Sequence, residues 1–180
     1  MIILEIVILQ GSPNVNGSTN LLVESFSTGA IASGHEVKKI EVAKMNINSC
    51  GGCVACGYEG PCIMKDDNEL IKREILSSDA IVFATPLYYY GFTSQLKKVI
   101  DRFCSYNSSL HSKKLKSVLL AVAWNNDDWT FDALETHYKT LVKYCNFTDM
   151  GMILGYGCGT PEMTKTSKYI AEAYELGGNL

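Results

Sequence analysis

Four short apolar runs and one more exposed one, separated by helix-length stretches, constrain this chain more than any other feature. They are ILEIVIL (3–9), HEVKKIEV (35–42), AIVFAT (80–85), SVLLAVAW (117–124) and MGMILGYG (150–157). Strands of this length alternating with amphipathic helices read as βαβ units, and such units build parallel sheets. AIVFAT and SVLLAVAW are nearly continuous in apolar residues, as strands covered on both faces require. Between the runs, Leu21, Leu22, Phe26, Ala30 and Ile31 recur at helical spacing. Leu70, Ile71 and Ile75 mark a second helix, capped by Asp67 and ending near Ser77. Further helices run from Thr93 to about Tyr106, over 131–147 and over 166–176. Five strands alternating with five helices predict an α/β three-layer sandwich with a five-stranded parallel sheet and helices on both faces. No repeat, low-complexity segment or linker divides the chain, so residues 1–180 are expected to form one domain.

Composition removes several classes of function. A net charge of -3 with scattered basic residues argues against nucleic acid as the main partner. No apolar run approaches the roughly 20 residues that span a bilayer. The opening MIILEIVIL is broken by Glu5 and lacks a basic leader, so it reads as a first strand rather than a signal peptide. The expected setting is therefore the cytoplasm. That setting makes structural disulfides rare and turns attention to the seven cysteines.

In an open parallel sheet, ligands bind beyond the carboxyl ends of the strands, where the strand order reverses. Three such ends carry unusual loops. GSPNVNGSTN (11–20) opens the first helix with Ser12, Asn14, Asn16, Gly17, Ser18 and Thr19. Hydroxyls, amides and the free N–H groups of a helix start make a neutral cradle suited to a phosphate. The loop is neither a Walker loop nor G-x-G-x-x-G, and an ordinary capped βα turn is the alternative. TPLYYYGF (85–92) places Pro86, Leu87, Tyr88, Tyr89 and Gly91 where aromatic rings would meet a flat ligand or a second subunit. AWNNDDWT (123–130) offers Ala123, Trp124 and Asn125, with turn and cap duties as the competing explanation.

GSPNVNGSTNLL, CGGCVACGYEGPCIMKDD and SSDAIVFATPLYYYGFTSQLKKVIDRF, in that order, resemble the flavodoxin-like NAD(P)H-dependent FMN reductase family, and within it the iron-sulfur flavoprotein branch. The resemblance covers roughly residues 2–104 and weakens beyond. It implies a flavodoxin-like sheet of strand order 2-1-3-4-5. It implies FMN as cofactor, the phosphate at Ser12, Asn14, Gly17, Ser18 and Thr19, and the isoalloxazine against Pro86, Leu87, Tyr88 and Gly91. The loop at 123–126 would complete the pocket. NAD(P)H would be the co-substrate, a small molecule or protein the electron acceptor, and a homodimer or homotetramer the assembly. Asn14 departs from the commoner pattern, in which Arg or Lys follows Ser-Pro, so phosphate binding would rest on neutral donors and the helix dipole. Chemistry in such a protein belongs to the flavin, so no protein acid or base is expected. His35, His111 and His137 read as surface or helix residues.

Residues 48–62, NSCGGCVACGYEGPC, hold Cys50, Cys53, Cys56 and Cys62 at C-x2-C-x2-C-x5-C. Compact runs of this kind can supply three ligands of a [4Fe–4S] cluster from one turn-rich loop, with Cys62 as the fourth. The spacing resembles that of iron-sulfur flavoproteins. Zinc is disfavoured, because its paired C-x2-C knuckles stand further apart. A free-thiol loop beside the flavin stands as an equal alternative. Cys104, Cys145 and Cys158 read as inert core residues. The leading function is thus an FMN-dependent NAD(P)H oxidoreductase of the flavin, quinone, nitro or azo compound reductase type. Its rivals are an electron carrier working through a cluster on the 50–62 loop and a flavodoxin-like binding module without catalysis.

Overall fold

A computed structural model describes residues 2–180. Its elements, in order, are β1 (Glu5–Gln10), α1 (Ser18–Ala32), β2 (Glu36–Glu41), α2 (Asn68–Ser77), β3 (Ala80–Pro86), α3 (Ser94–Asp101), α4 (Asn107–Lys113), β4 (Lys116–Val122), α5 (Asp132–Tyr144), β5 (Thr148–Gly155), α6 (Pro161–Lys165) and α7 (Tyr169–Gly178). Every strand pair is parallel, and the sheet order is β2-β1-β3-β4-β5. The expected flavodoxin-like sandwich is the fold observed.

The period of two along each strand sorts the core into two layers. Val7, Leu9, Ile81, Phe83, Leu119 and Ala121 face α2, α3 and α5, which return Ile71, Ile75, Leu96, Val99, Leu134 and Tyr138. Ile6, Ile8, Val82, Ala84, Val118, Leu120 and Val122 face the other way, onto Leu22, Val23 and Phe26 of α1 and Ala173 of α7. Each fully buried aliphatic side chain of this kind contributes about 1.5–3 kcal/mol. Helices α1 and α7 approach so closely that a Cβ on Gly29 would strike the Tyr174 carbonyl, and one on Gly177 that of Phe26.

Several expectations are corrected. Asp67 stands at the N-cap of α2 as expected, but its side chain makes no capping hydrogen bond: its Oδ2 accepts from the Asn46 N–H (2.7 Å), while Asp66 Oδ1 accepts from Asn68 N (3.1 Å). The helix expected over 93–106 ends at Asp101, tightens into a 3-10 segment at Arg102–Tyr106 and restarts as α4. Arg102, Phe103 and Tyr106 of the 3-10 segment are all buried. The last helix is split into α6, capped by Thr160 Oγ1 on Met163 N, and α7. Strand β5 lies two residues earlier at each end than expected, and a bulge at Met150–Gly151 within it is absorbed by Gly151 at φ 124°. His35 is a buried residue rather than a surface one, and its Nδ1 accepts from Leu4 N (3.3 Å).

Candidate functional site

The strand order reverses between β1 and β3, and the loops beyond their carboxyl ends are tied together by backbone bonds. Gly11 N donates to Ala84 O (2.8 Å), Leu87 N to Val122 O (2.8 Å), Ala123 N to Gly155 O (2.9 Å) and Cys158 N to Ala123 O (2.7 Å). Two buried threonines lock the start of α3 onto this edge. Thr93 Oγ1 donates to Gly11 O (2.8 Å) and accepts from Leu96 N, while Thr93 N donates to Thr85 Oγ1 (3.1 Å). Only glycine fits at position 11, since a Cβ would come within 2.7 Å of both Leu96 and Thr93 Oγ1.

Above this floor lie two adjoining hollows. One, of about 230 Å³, is walled by Asn14, Gly17, Ser18, Pro86, Leu87, Tyr88, Ala123, Trp124, Cys158 and Gly159, among others. The other, of about 240 Å³, is walled by Leu87, Tyr89, Tyr90, Ala123, Trp124 and Asn125. Leu87, Ala123 and Trp124 belong to both. Each hollow alone is smaller than the roughly 300 Å³ at which small-molecule sites begin, and the joined groove exceeds it.

The groove brings together most of the residues expected from sequence. Ser18 is buried at the N-terminus of α1, and its hydroxyl has no hydrogen-bond partner among the described residues. Ser12 is turned inward: its hydroxyl donates to Asn14 O (3.1 Å) and accepts from Asn14 N (3.2 Å). Asn14 Oδ1 accepts from Asn16 N (3.1 Å), so these side chains shape the loop. Ser12, Asn16, Thr19 and Gly91 line neither hollow. Gly91 instead closes a two-residue turn with Tyr88, each N–H donating to the other's carbonyl. Tyr89 (φ 44°) and Tyr90 (φ 63°) both sit left-handed in that turn, at a cost of roughly 1–2 kcal/mol each. Tyr90 rests on Trp129 with ring centroids 5.4 Å apart, and Tyr89 stands fully exposed beside the groove.

Gly159, Cys158 and Tyr90 join the walls without having been picked out as site residues. Trp124 lies against Gly159, where any Cβ would collide with the indole. The glycine-rich run GYGCGTP was the available signal. His137 packs edge-on against Phe92 (5.0 Å), His111 against Tyr144 (5.1 Å), and no histidine lines the groove.

The cysteine loop builds a separate cavity of about 340 Å³, walled by Cys50, Cys53, Cys56, Cys62, Tyr58, Met64, Arg102 and Cys104, among others. Cys104 is thus a fifth, half-buried thiol of this cavity rather than a core residue. Burial, then Cys50 and Cys56, push its thiol up to about 12. Cys145 is buried in the core as expected, whereas buried Cys158 walls the groove. The loop had been expected beside the flavin. It shares no wall with the groove and is set back along α3, whose eight residues span roughly 12 Å.

The ends of this loop are clasped by one buried ion pair. Arg102 Nη1 donates to Asp66 Oδ2 (2.9 Å) and to Asn48 O (3.0 Å), and Nη2 donates to Asp66 Oδ1 (3.3 Å). Asp66 also accepts from the backbone N–H of Asn48 (3.0 Å). Burial would raise the Asp66 carboxyl, yet Arg102 and the Asn48 donors outweigh it and hold the group down to about 2. A single zinc ion needs four ligands with Zn–S near 2.3 Å. Among the described residues no three His, Cys, Asp or Glu side chains gather so closely. The thiols stand around a space instead. A buried cation in the wall whose Nε has no partner among the described residues suits an anionic thiolate-held group such as an iron-sulfur cluster.

A doubly wound parallel sheet with a switch-point groove that ends on a helix N-terminus defines a flavodoxin-like protein. Residues 4–150 match the family described as NADPH-dependent FMN reductase. The chain belongs to that family, one of FMN-dependent oxidoreductases. It is 29% identical over 175 residues to an iron-sulfur flavoprotein of Archaeoglobus fulgidus, covering 92% of this chain and 78% of that one. It is 33% identical over 99 residues to an iron-sulfur flavoprotein of Methanocaldococcus jannaschii, covering 55% of this chain and 51% of the other, about half its length. Among solved structures, an NAD(P)H:quinone oxidoreductase from Methanothermobacter marburgensis superposes with a TM-score of 0.81 at 17% identity, covering 99% of this chain and 96% of that chain. An FMN-dependent NADH-azoreductase from Bacillus anthracis in complex with FMN gives 0.65 at 14% identity, covering 97% and 98%. Among the described residues no helix is long and apolar enough to cross a membrane.

Proposed function

We propose that the chain binds FMN in the groove at the carboxyl edge and passes electrons from NAD(P)H to a quinone-, nitro- or azo-type acceptor. The observation that carries this reading is the buried, unpartnered hydroxyl of Ser18 at the start of α1, a residue that walls the groove together with Pro86, Leu87, Tyr88 and Trp124. When bound, FMN supplies the hydride and single-electron chemistry. The chain's own part is to bind, orient and exclude water. Ser18 Oγ and the first N–H groups of α1 hold the phosphate, assisted by the positive end of the helix and needing no nearby cation. Pro86, Leu87 and Ala123 give the ring an apolar floor, and Trp124, braced on Gly159, gives it a wall. Asn125 stands at the far end, where an amide can hydrogen-bond the ring's polar edge. Tyr89 and Trp124 expose large rings beside the groove, surface that a second copy in a homodimer or homotetramer would cover.

The test is an FMN titration of purified protein followed by steady-state NAD(P)H oxidation with a quinone acceptor. Stoichiometric FMN uptake with turnover supports the reading. Protein that takes up no FMN overturns it. Ser18→Ala should weaken FMN binding about tenfold, by removing one hydrogen bond to a charged group.

A second reading is favoured by the five thiols around one cavity with the buried Arg102: the loop holds a [4Fe–4S] cluster through Cys50, Cys53, Cys56 and Cys62, and the protein acts as an electron carrier. Iron and sulfide analysis of anaerobically prepared protein tests it, with Cys56→Ala expected to lose the iron.

A further inference from the structure

Arg102 is completely buried at the head of the 3-10 segment that walls the thiol cavity. Its guanidinium carries five N–H donors in a rigid fork. Nη1 and Nη2 are occupied by Asp66 and Asn48, and Nη1 also stands 3.5 Å from Met64 Sδ. Nε is the one guanidinium nitrogen buried with no partner among the described residues. Native structures rarely leave a buried charged donor unpaired, because the desolvation penalty is then uncompensated. The surroundings name the missing acceptor. The cavity wall holds the sulfurs of Cys50, Cys53, Cys56, Cys62 and Cys104 and the thioether of Met64.

We propose that Arg102 is the positioning residue of this cavity, donating from Nε to an anionic sulfur of the thiolate-held cluster while Nη1 and Nη2 clamp the loop ends shut. This inference rests on the cluster reading above. The two functions use different nitrogens, so they come apart on substitution. Lysine can pair with Asp66 but has no second, fixed donor. A hydrogen bond and positive charge beside a cluster favour its more negative, reduced state, and so raise its reduction potential.

Arg102→Lys and Arg102→Met are compared with the unaltered protein for iron and sulfide content, FMN content and cluster midpoint potential by anaerobic redox titration. Both variants should titrate at a more negative midpoint, methionine further than lysine. Arg102→Met should retain less iron, because its loop is no longer clasped. FMN content reports folding, since Arg102 lines no part of the groove.

A measurement on the unaltered protein does not depend on either variant folding. The chain has two arginines, Arg73 and Arg102, and only Arg102 walls this cavity. Reduced protein labelled with 15N-arginine should show a nitrogen coupling to the cluster spin in pulsed EPR. Absence of that coupling, or wild-type midpoint and iron in Arg102→Met, overturns the role of Arg102 alone. Unaltered protein that binds no iron overturns the cluster reading and this inference with it.

Discussion

The groove and the thiol cavity lie about one helix length apart and are built on opposite principles. The groove is an extension of the sheet: each strand end hands its hydrogen bonds to the next loop, and Thr85, Thr93 and Gly11 fix the floor. The cavity is closed on one side by an irregular loop against the end of α3 and the 3-10 segment. Its loop holds Val54 (φ 55°) and Tyr58 (φ 64°) in left-handed conformations that ordinary side chains avoid, and one buried ion pair ties its ends. The difference teaches that a cofactor groove can be inherited from the fold, whereas the cavity depends on a few particular side chains.

The largest effect should come from undoing the clasp. Asp66→Ala leaves the Arg102 charge buried and unpaired, which costs roughly 3–5 kcal/mol. Chemical denaturation measures it, and a loss below about 1 kcal/mol would put the loop's stability elsewhere. Acid should reach the same pair more gently. The Asp66 carboxyl lies near 2 in the folded chain against an ordinary value of 3.8, a depressed acid. Its contribution, on the order of 2 kcal/mol, is therefore present above pH 4 and lost as pH falls towards 2. Asp66→Asn should flatten that part of the stability–pH curve. On the groove side, Gly159→Ala should displace Trp124 and weaken FMN binding roughly tenfold while leaving iron content unchanged. The smallest effect belongs to Cys104→Ser, which should keep both iron and FMN, because four thiols remain on the loop. If instead iron is lost with Cys104 and kept without Cys62, the ligand set has to be redrawn.

The same contrast explains what could be read in the sequence. Apolar runs of period two and helices of period 3.6 carry the five strands, their order by resemblance, and the loops that end at the groove. Most groove residues follow, because a strand's carboxyl end fixes where its next residues stand. The inward turn of Ser12 was hidden, since a hydroxyl that shapes a loop and one that binds a ligand look alike in sequence. Arg102 was hidden for another reason. In DRFCSY nothing local marks it as buried, because its partner Asp66 lies 36 residues earlier. Cys104 and buried His35 were missed in the same way, because their partners are distant in the chain.

The central proposal is that one chain carries two sites: an FMN groove on the sheet edge and, on the second reading, a thiolate-held cluster in the clasped loop. The most direct test is a parallel determination of FMN, iron and sulfide, with anaerobic visible spectra, on the unaltered protein and Cys56→Ala. The account predicts about one FMN and roughly four irons per unaltered chain, and a Cys56→Ala protein that keeps its FMN and loses its iron. Unaltered protein without FMN, or a Cys56→Ala protein with undiminished iron, would contradict it.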